Sequence, residues 1–195
     1  MKIAKIKSLC NSAKRIILFN DGGVQYISEG HAIYPLYGMP ELTEDNIYII
    51  FDIPEKNRGK IHFEAKSGLP ACFDMSDRSD EELELTPVGI TLWYHGRELT
   101  PYISSRGVVF LNAKYLEPFS DSKNGFSLTE RRFSNGAYYA AVKDGMLLAG
   151  IVLPEQVISP ELGGLLSGLG ERVAREAEHG VVQLSIDDED GSDDE

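Results

Sequence analysis

Gly23–Leu42 has the sequence GVQYISEGHAIYPLYGMPEL, and Gly136–Val157 has the sequence GAYYAAVKDGMLLAGIVLPEQV. Each stretch begins at a turn dipeptide and contains a second turn glycine. These turn residues are Asp21-Gly22 with Gly30, and Asn135-Gly136 with Gly145. A strand candidate precedes each stretch, RIILFN or FSLTERRF, and a helix candidate precedes that strand. The pattern predicts an α+β fold in which a helix followed by a three-stranded antiparallel meander occurs twice, over roughly residues 2–37 and 111–153.

The composition is typical of a globular protein. The chain has 195 residues, of which 42% are hydrophobic, so it can form the core of one domain. Its longest apolar run, Met146–Leu153, is far shorter than the ~20 residues of a membrane-spanning helix. The first residues lack the apolar stretch of a secretory signal, and Cys10 and Cys72 form no disulfide framework. We therefore expect a cytoplasmic protein with no membrane partner.

The predicted organisation has three parts. Residues 1–158 form a single α+β domain that contains both helix-meander repeats. Residues 159–180 form a C-terminal amphipathic helix, which begins at Ser159-Pro160-Glu161. Its predicted apolar stripe consists of Leu162, Leu165, Leu166, Leu169, Val173 and Ala177. Residues 181–195 are predicted to be a disordered acidic tail, because acids occupy seven of the last nine positions and repel one another.

The segment between the two meanders is less regular. Thr43 is predicted to cap a helix that points Ile47, Ile50 and Phe51 inward. A strand, KIHFEA, follows it. Residues 74–84, with the sequence DMSDRSDEELE, are predicted to form a solvated loop. A further strand pair surrounds a turn at His95-Gly96.

No sequence pattern indicates catalysis. The four histidines are isolated, and no nucleophile, phosphate-loop or zinc-site motif is present. Cys10 lies on the apolar face of its helix, which favours a core thiol over a nucleophile. A metal site is the alternative interpretation of Asp77, Asp80, Glu81 and Glu82, but a solvated loop explains these acids better. We therefore predict no catalytic residue, no metal ligand and no cofactor.

Charge is distributed unevenly along the chain. The formal net charge is −12, yet lysines and arginines dominate the first 15 residues. Cations on three predicted helices could contact phosphates of duplex DNA without reading its sequence. The predicted DNA-binding residues are Lys5, Lys7, Lys14 and Arg15, then Lys56, Arg58 and Lys60 after the second helix, and Lys114 on the third. The alternative interpretation is a set of ordinary solvated helix faces.

The order of strand, helix and meander resembles the DNA sliding-clamp fold. VVFLNAKYLEPF, FSLTERRF and AYYAAVKDGMLLAGIVLPEQV carry the resemblance, which covers about half of the chain. It implies that helices bearing Lys and Arg line a channel around DNA, while the outer surface is acidic. Because the chain is too short for the two or three domains of a usual clamp subunit, a closed ring would need additional copies. A homo-oligomer is therefore one implication of the resemblance, and the alternative is that no ring closes.

The acidic tail contains a second resemblance, to a peptide that binds sliding clamps. Gln183-Leu184-Ser185-Ile186 resembles the start of the Gln-Leu-Ser-Leu-Phe type of peptide with which bacterial proteins bind the replicative sliding clamp. Ile186 replaces leucine, and Asp187 stands where an aromatic residue is expected. These four residues are our predicted partner-binding segment, with replication proteins as the implied partners.

The functional hypothesis follows from these features. We predict a non-enzymatic, DNA-associated accessory factor that resembles a sliding clamp, such as a processivity factor in DNA replication of phage or mobile-element type. The alternative is an acidic protein-binding or DNA-mimicking factor, which engages a basic partner through its acidic loop and tail. The two hypotheses differ in whether the basic residues gather on one face or lie scattered among acids.

Overall fold

The computed structural model describes residues 2–80, 82–122, 125–133 and 135–179. The chain divides into two compact units, Met1–Glu155 and Gln156–Glu195. The first unit contains helices α1, Ile3–Ala13; α2, Glu44–Ile50; α3, Glu55–Arg58; and α4, Ala113–Leu116, which continues into a 3-10 turn, Glu117–Phe119. The second contains helix α5, Pro160–His179. Among the described residues, no helix is both long and apolar enough to cross a membrane.

The strands form two sheets. They are β1, Arg15–Asp21; β2, Val24–Ser28; β3, Ala32–Pro35; β4, His62–Ser67; β5, Leu83–Glu84; β6, Thr86–Pro87; β7, Leu92–Tyr94; β8, Arg97–Ser104; β9, Gly107–Asn112; β10, Ser127–Arg132; β11, Tyr138–Asp144; and β12, Leu147–Val152. The larger sheet has the order β4-β1-β2-β3-β12-β11-β10-β5. In the smaller sheet, β8 pairs antiparallel with β6, β7 and β9.

Both predicted meanders are present, and the fold is α+β as expected. β1, β2 and β3 pair antiparallel in sequence order, as do β10, β11 and β12. A helix precedes each meander, but α1 has 11 residues and α4 only four. The turn glycines Gly22 and Gly145 have φ angles of 56° and 63°, in the left-handed region that two-residue hairpin turns require.

The two meanders are joined through their third strands. β3 and β12 pair antiparallel at Ile33↔Ile151 and Ala32↔Val152, which makes one continuous sheet from both halves. β4 extends this sheet by pairing parallel with β1. The sequence did not predict either junction, because both depend on contacts between distant parts of the chain.

Each face of the large sheet is covered by apolar side chains. One face, with Ile16, Leu18 and Ile27, packs against α1, α2, α4 and the small sheet. The opposite face, with Ile17 and Phe19, packs against side chains from residues 69–75 and 133. Alternate residues of a strand point to opposite faces of the sheet. Because both faces are packed against apolar side chains, these strands do not alternate strictly between apolar and polar residues.

Most of the described part of residues 74–84 is exposed, as predicted for a solvated loop, but the segment is also anchored to the sheet. Met75, together with Leu69 and Phe73 just before the segment, packs on the second face of the large sheet. Near the end of the segment, the Glu82 side chain is only 13% exposed and forms ion pairs with Arg131 and Lys143. The segment therefore docks on its own sheet, because its apolar residues and Glu82 find partners there that are more than 45 residues away in sequence.

Two helices also depart in detail from their predicted faces. In α2, Ile47 and Phe51 are buried as expected, but Ile50 is exposed and Tyr48 is buried instead. In α5, Leu165, Leu169 and Val173 of the predicted apolar stripe are more than half exposed.

Candidate nucleic-acid interface

A cleft of about 430 Å³ lies between the end of α1 and the segment that connects α2 to β4. Two cations line it, Lys14 and Lys60. The other polar side chains of the lining are Asn11, Asp52 and Asn57. We call this site the α1–α3 cleft. Apart from Asp52, its polar lining consists of lysine ammonium groups and asparagine amide groups. Both kinds of group bind phosphate oxygens.

Local backbone geometry builds both walls of the cleft. Lys14 ends α1 in a left-handed conformation, with φ 52°, and its carbonyl oxygen accepts a hydrogen bond from the backbone N–H of His62 at 2.9 Å. On the other wall, Pro54 precedes α3, and its carbonyl accepts from the N–H of Asn57 at 2.8 Å. The first bond holds the end of α1 beside the segment that carries Lys60, and the second fixes the start of α3.

Further cations border the α1–α3 cleft. Lys7, about two turns before Lys14 in the chain, forms an ion pair with Asp52. Lys56 is exposed on α3. Arg58 is partly engaged by the protein itself, because its guanidinium carbon lies 5.2 Å from the centre of the Tyr48 ring. Lys56 and Arg58 thus lie beside the two lysines of the cleft, while the Asp52 carboxylate of the lining is paired with Lys7.

The Tyr48 ring that carries Arg58 is itself fixed. Its hydroxyl donates a 2.6 Å hydrogen bond to Glu44. Burial, together with this bond, raises the pKa of Tyr48 to about 12, so the phenol is neutral at physiological pH and the ring is a stable support for the cation.

The remaining predicted DNA-binding residues lie elsewhere. Lys5 pairs with Glu117 of the 3-10 turn at 2.5 Å. Arg15 belongs to β1 and not to α1, and it pairs with Glu64 at 3.6 Å. Lys114 lies on α4, with its Nζ 4.7 Å from the centre of the Tyr115 ring.

The four N-terminal cations therefore do not form one helical surface. At 100° per residue, Lys5 and Lys7 point to opposite sides of α1, and their partners lie on different elements, the 3-10 turn and the α2–α3 connection. The exposed face between them carries Ala4, Ser8 and Ser12, which are uncharged. The structure brings together Lys7, Lys14 and Lys60 with α3, and separates Lys5, Arg15 and Lys114 from them.

Sequence patterns missed the polar partners of these lysines. Asn11 shares a face of α1 with Lys7 and Lys14 at spacings of four and three residues, which is a signal that could have been used. Asp52 and Asn57 carry no such signal, because only the fold places them beside α1. The predicted partner-binding residues Gln183, Leu184, Ser185 and Ile186 lie outside the described residues.

Comparisons with known proteins do not indicate a function for this site. No protein-family model, curated protein or solved structure matches this chain. In the part of the chain that the structure describes, no three His, Cys, Asp or Glu side chains are grouped as ligands of a metal ion.

Proposed function

We propose that this protein is a non-enzymatic, DNA-associated accessory factor with a clamp-like arrangement of two helix-meander units, and that it contacts duplex DNA through the α1–α3 cleft. The observation that carries the proposal is that Lys14 and Lys60, 46 residues apart in sequence, line one cleft together with amide side chains. The one carboxylate of this lining, Asp52, is paired with Lys7. Both lysines are exposed and available to phosphate groups.

Binding at this cleft is electrostatic and independent of base sequence. Lysine ammonium groups contact phosphates as point charges, and such contacts position a protein on DNA without reading its bases. α3 has only four residues, too few to present a recognition surface in the major groove. A small number of phosphate contacts makes the affinity weak and strongly dependent on salt.

A clamp-like role also requires several copies of the chain to assemble. The described β-sheet joins two meanders within one chain, and a chain of 195 residues encircles a duplex only as part of an oligomer. The proposal therefore includes association of several copies when DNA is bound, and replication as the process served.

The acidic segment supports the alternative hypothesis less well. Glu82 is paired with Arg131 and Lys143, and Asp77 accepts a hydrogen bond from the backbone of Leu148 at 2.8 Å. These carboxylates hold the segment to its own sheet, so they are not free to engage a basic partner.

The test compares two double variants of equal charge. Lys14→Gln with Lys60→Gln removes both lysines of the cleft, whereas Lys5→Gln with Lys114→Gln removes two cations outside it. Retention on linear and on circular duplex DNA is measured as a function of salt, together with the melting temperature. We expect the first variant to bind less tightly, and the magnitude of its logarithmic salt slope to fall by about 0.9 for each lost phosphate contact.

The control variant should retain wild-type binding and salt dependence. No binding of the wild-type protein to either DNA form at low salt would refute the proposal. Equal loss in both variants would place the contact outside the cleft. Unchanged melting temperatures establish that any difference in binding is electrostatic.

A further inference from the structure

A second cavity in the first unit has a different character from the α1–α3 cleft. It has a volume of about 410 Å³, and apolar side chains from α1, the 3-10 turn and the ends of both meanders line most of it. Its apolar lining is Ile3, Pro35, Leu36, Tyr37, Met39, Phe119, Phe126, Leu147, Leu148 and Ala149. We call this cavity the meander groove. It is open to solvent, with Tyr37 58% exposed and Leu147 62% exposed.

The meander groove exists because β3 and β12 separate. The two strands pair over only two residue pairs, ending at Ile33↔Ile151. Beyond this point Tyr34 and Pro35 of β3 have no registered partner in β12, and the two strands lead to opposite sides of the groove. Phe119, which is 3% exposed, fills the junction from below, so the groove has a rigid aromatic floor.

Carboxylates mark the rim. Asp121 and Asp144 are the charged side chains of the described lining. Asp144 accepts a 2.7 Å hydrogen bond from the Ser122 hydroxyl, which fixes its position, and Asp121 pairs with Lys2 at 2.9 Å. Asp77 lies nearby, since its carboxylate accepts a 2.8 Å hydrogen bond from the backbone N–H of Leu148, a residue of the lining. Because Lys2 already pairs with Asp121, Asp144 and Asp77 are the carboxylates that complement an occupant with cations beside its apolar groups.

The surroundings favour an extended occupant. A neighbouring cavity with a mixed polar and apolar lining shares Leu36, Tyr37 and Met39 with the meander groove, and its polar lining residues include Asn20, Gln25 and Glu41. An apolar site that adjoins a mixed one suits a peptide, in which anchor side chains alternate with polar ones. A compact small molecule would fill only the first cavity.

The geometry points to the meander groove as a docking site for a segment of another protein with large aliphatic or aromatic anchors flanked by lysine or arginine. Tyr37 and Leu147 contact the anchors, and Asp144 faces the flanking cation. This site is independent of the α1–α3 cleft, since the two share no lining residue, and it goes beyond the proposed contact with DNA.

The experiment uses the full chain and a panel of synthetic peptides. The peptides carry two leucines and one phenylalanine at varied spacings with flanking arginines, and each has a twin in which glutamate replaces arginine. Binding is measured by fluorescence anisotropy, and the site is located by backbone amide shifts in NMR spectra. We expect saturable binding of arginine peptides, with shifts at Leu36, Tyr37 and Phe126.

Two substitutions on one hairpin make a matched pair. Leu147→Lys places a charge in the meander groove, whereas Met146→Lys changes its neighbour, which is 85% exposed and outside the lining. We expect Leu147→Lys to weaken binding about tenfold or more and Met146→Lys to leave it unchanged. Asp144→Lys should weaken the arginine peptides and strengthen their glutamate twins.

Several results would overturn the inference. These are the absence of saturable binding across the whole panel, equal affinity for arginine and glutamate peptides, or no effect of Leu147→Lys. Self-association of the peptide-free protein that Leu147→Lys abolishes would show that a second copy occupies the groove instead. The DNA-binding variants serve as a cross-check, because Lys14→Gln with Lys60→Gln should bind the peptides normally.

Discussion

At the scale of single residues, one buried carboxylate holds the acidic segment to the sheet. Glu82 accepts hydrogen bonds from Arg131 Nη2 at 2.9 Å, from Lys143 Nζ at 3.0 Å and from the Thr129 hydroxyl at 2.8 Å. Arg131 is only 1% exposed. Burial by itself raises the pKa of Glu82, but the bonds from Lys143, Thr129 and Arg131 outweigh this effect and hold the pKa below its ordinary value.

Glu82→Gln should therefore be destabilising. The substitution keeps the size of the side chain but removes the carboxylate nearest to Arg131 and Lys143 and leaves Asp74, 3.9 Å from Arg131, as the remaining acid. This loss costs about 3 kcal/mol in the free energy of unfolding. Urea denaturation at pH 7 measures the loss, with Glu98→Gln at an exposed position as the control. A loss of less than about 0.5 kcal/mol, comparable to an exposed ion pair, would contradict this account.

The same variant should also change the response to acid. Because the pKa of Glu82 is lower in the folded than in the unfolded chain, its contribution is present above the unfolded-state pKa of about 4.3. This contribution disappears as the pH falls through the folded-state pKa. Wild type should therefore lose more stability than Glu82→Gln on acidification below about pH 5; parallel losses would contradict the assignment.

Glu29 shows the opposite behaviour. Its Oε1 accepts hydrogen bonds from the N–H groups of His31 and Ala32, while its Oε2 is buried and has no partner among the described residues. Burial raises the pKa of Glu29, although these bonds and His31 oppose the shift. The pKa of Glu82, which has two cationic partners and one hydroxyl partner, is therefore lowered, whereas the pKa of Glu29, whose hydrogen bonds come from backbone N–H groups, is raised.

At the scale of elements, the junction of β3 and β12 unites the two meanders. Gly150 lies at this junction, where an added Cβ atom would be 2.7 Å from the Ile33 carbonyl oxygen and 2.7 Å from Phe119 Cζ. Glycine is therefore required at this position because the Ile33 backbone and the Phe119 ring pack closely against it. The short ladder depends on glycine at this position, and the floor of the meander groove depends on Phe119 reaching the sheet.

Gly150→Ala should weaken the junction by about 1–3 kcal/mol, since backbone or a buried ring must shift to admit the methyl group. Gly59→Ala is the matched control, because an added Cβ there meets nothing within 4 Å and the helical backbone, with φ −65°, accepts alanine. The control should be neutral or stabilising by up to about 1 kcal/mol. Equal chemical denaturation midpoints for the two variants would disprove the packing argument.

At the scale of the whole molecule, charge is segregated by the fold. The α1–α3 cleft gathers cations within an acidic chain, and the rim of the meander groove gathers carboxylates. Because the cleft and the groove share no lining residue, the two proposed contacts, with DNA and with a cationic peptide, can form at the same time. Ionic strength should weaken both contacts, but only the first should be altered by removal of Lys14 and Lys60.

The acidic C-terminal residues should contribute little to folding. Seven acids in the last nine positions repel one another and offer no apolar side chain to bury. A chain that ends at Ile186 should therefore melt within a few degrees of the full chain in a calorimetric scan at physiological salt. A large decrease in melting temperature would show instead that these residues stabilise the folded body.

The amino-acid sequence was sufficient to predict the local features of the fold. Turn dipeptides predicted both meanders, Thr43 predicted the start of α2, and Ser159-Pro160 predicted the start of α5, because hairpin turns and helix caps depend on residues only a few positions apart. These local signals were sufficient to predict the fold class, the order of strands within each meander and the presence of lysines on α1.

Which of these elements contact one another depends on the packing of the folded chain. Lys14 and Lys60 share a cleft because β1 and β4 pair in parallel, and Glu82 reaches Arg131 across 49 residues. The meander groove arises where β3 and β12 stop pairing. Each of these contacts joins segments distant in sequence, and neither periodicity nor turn chemistry specifies such pairs, since their energy comes from the packing of the complete core.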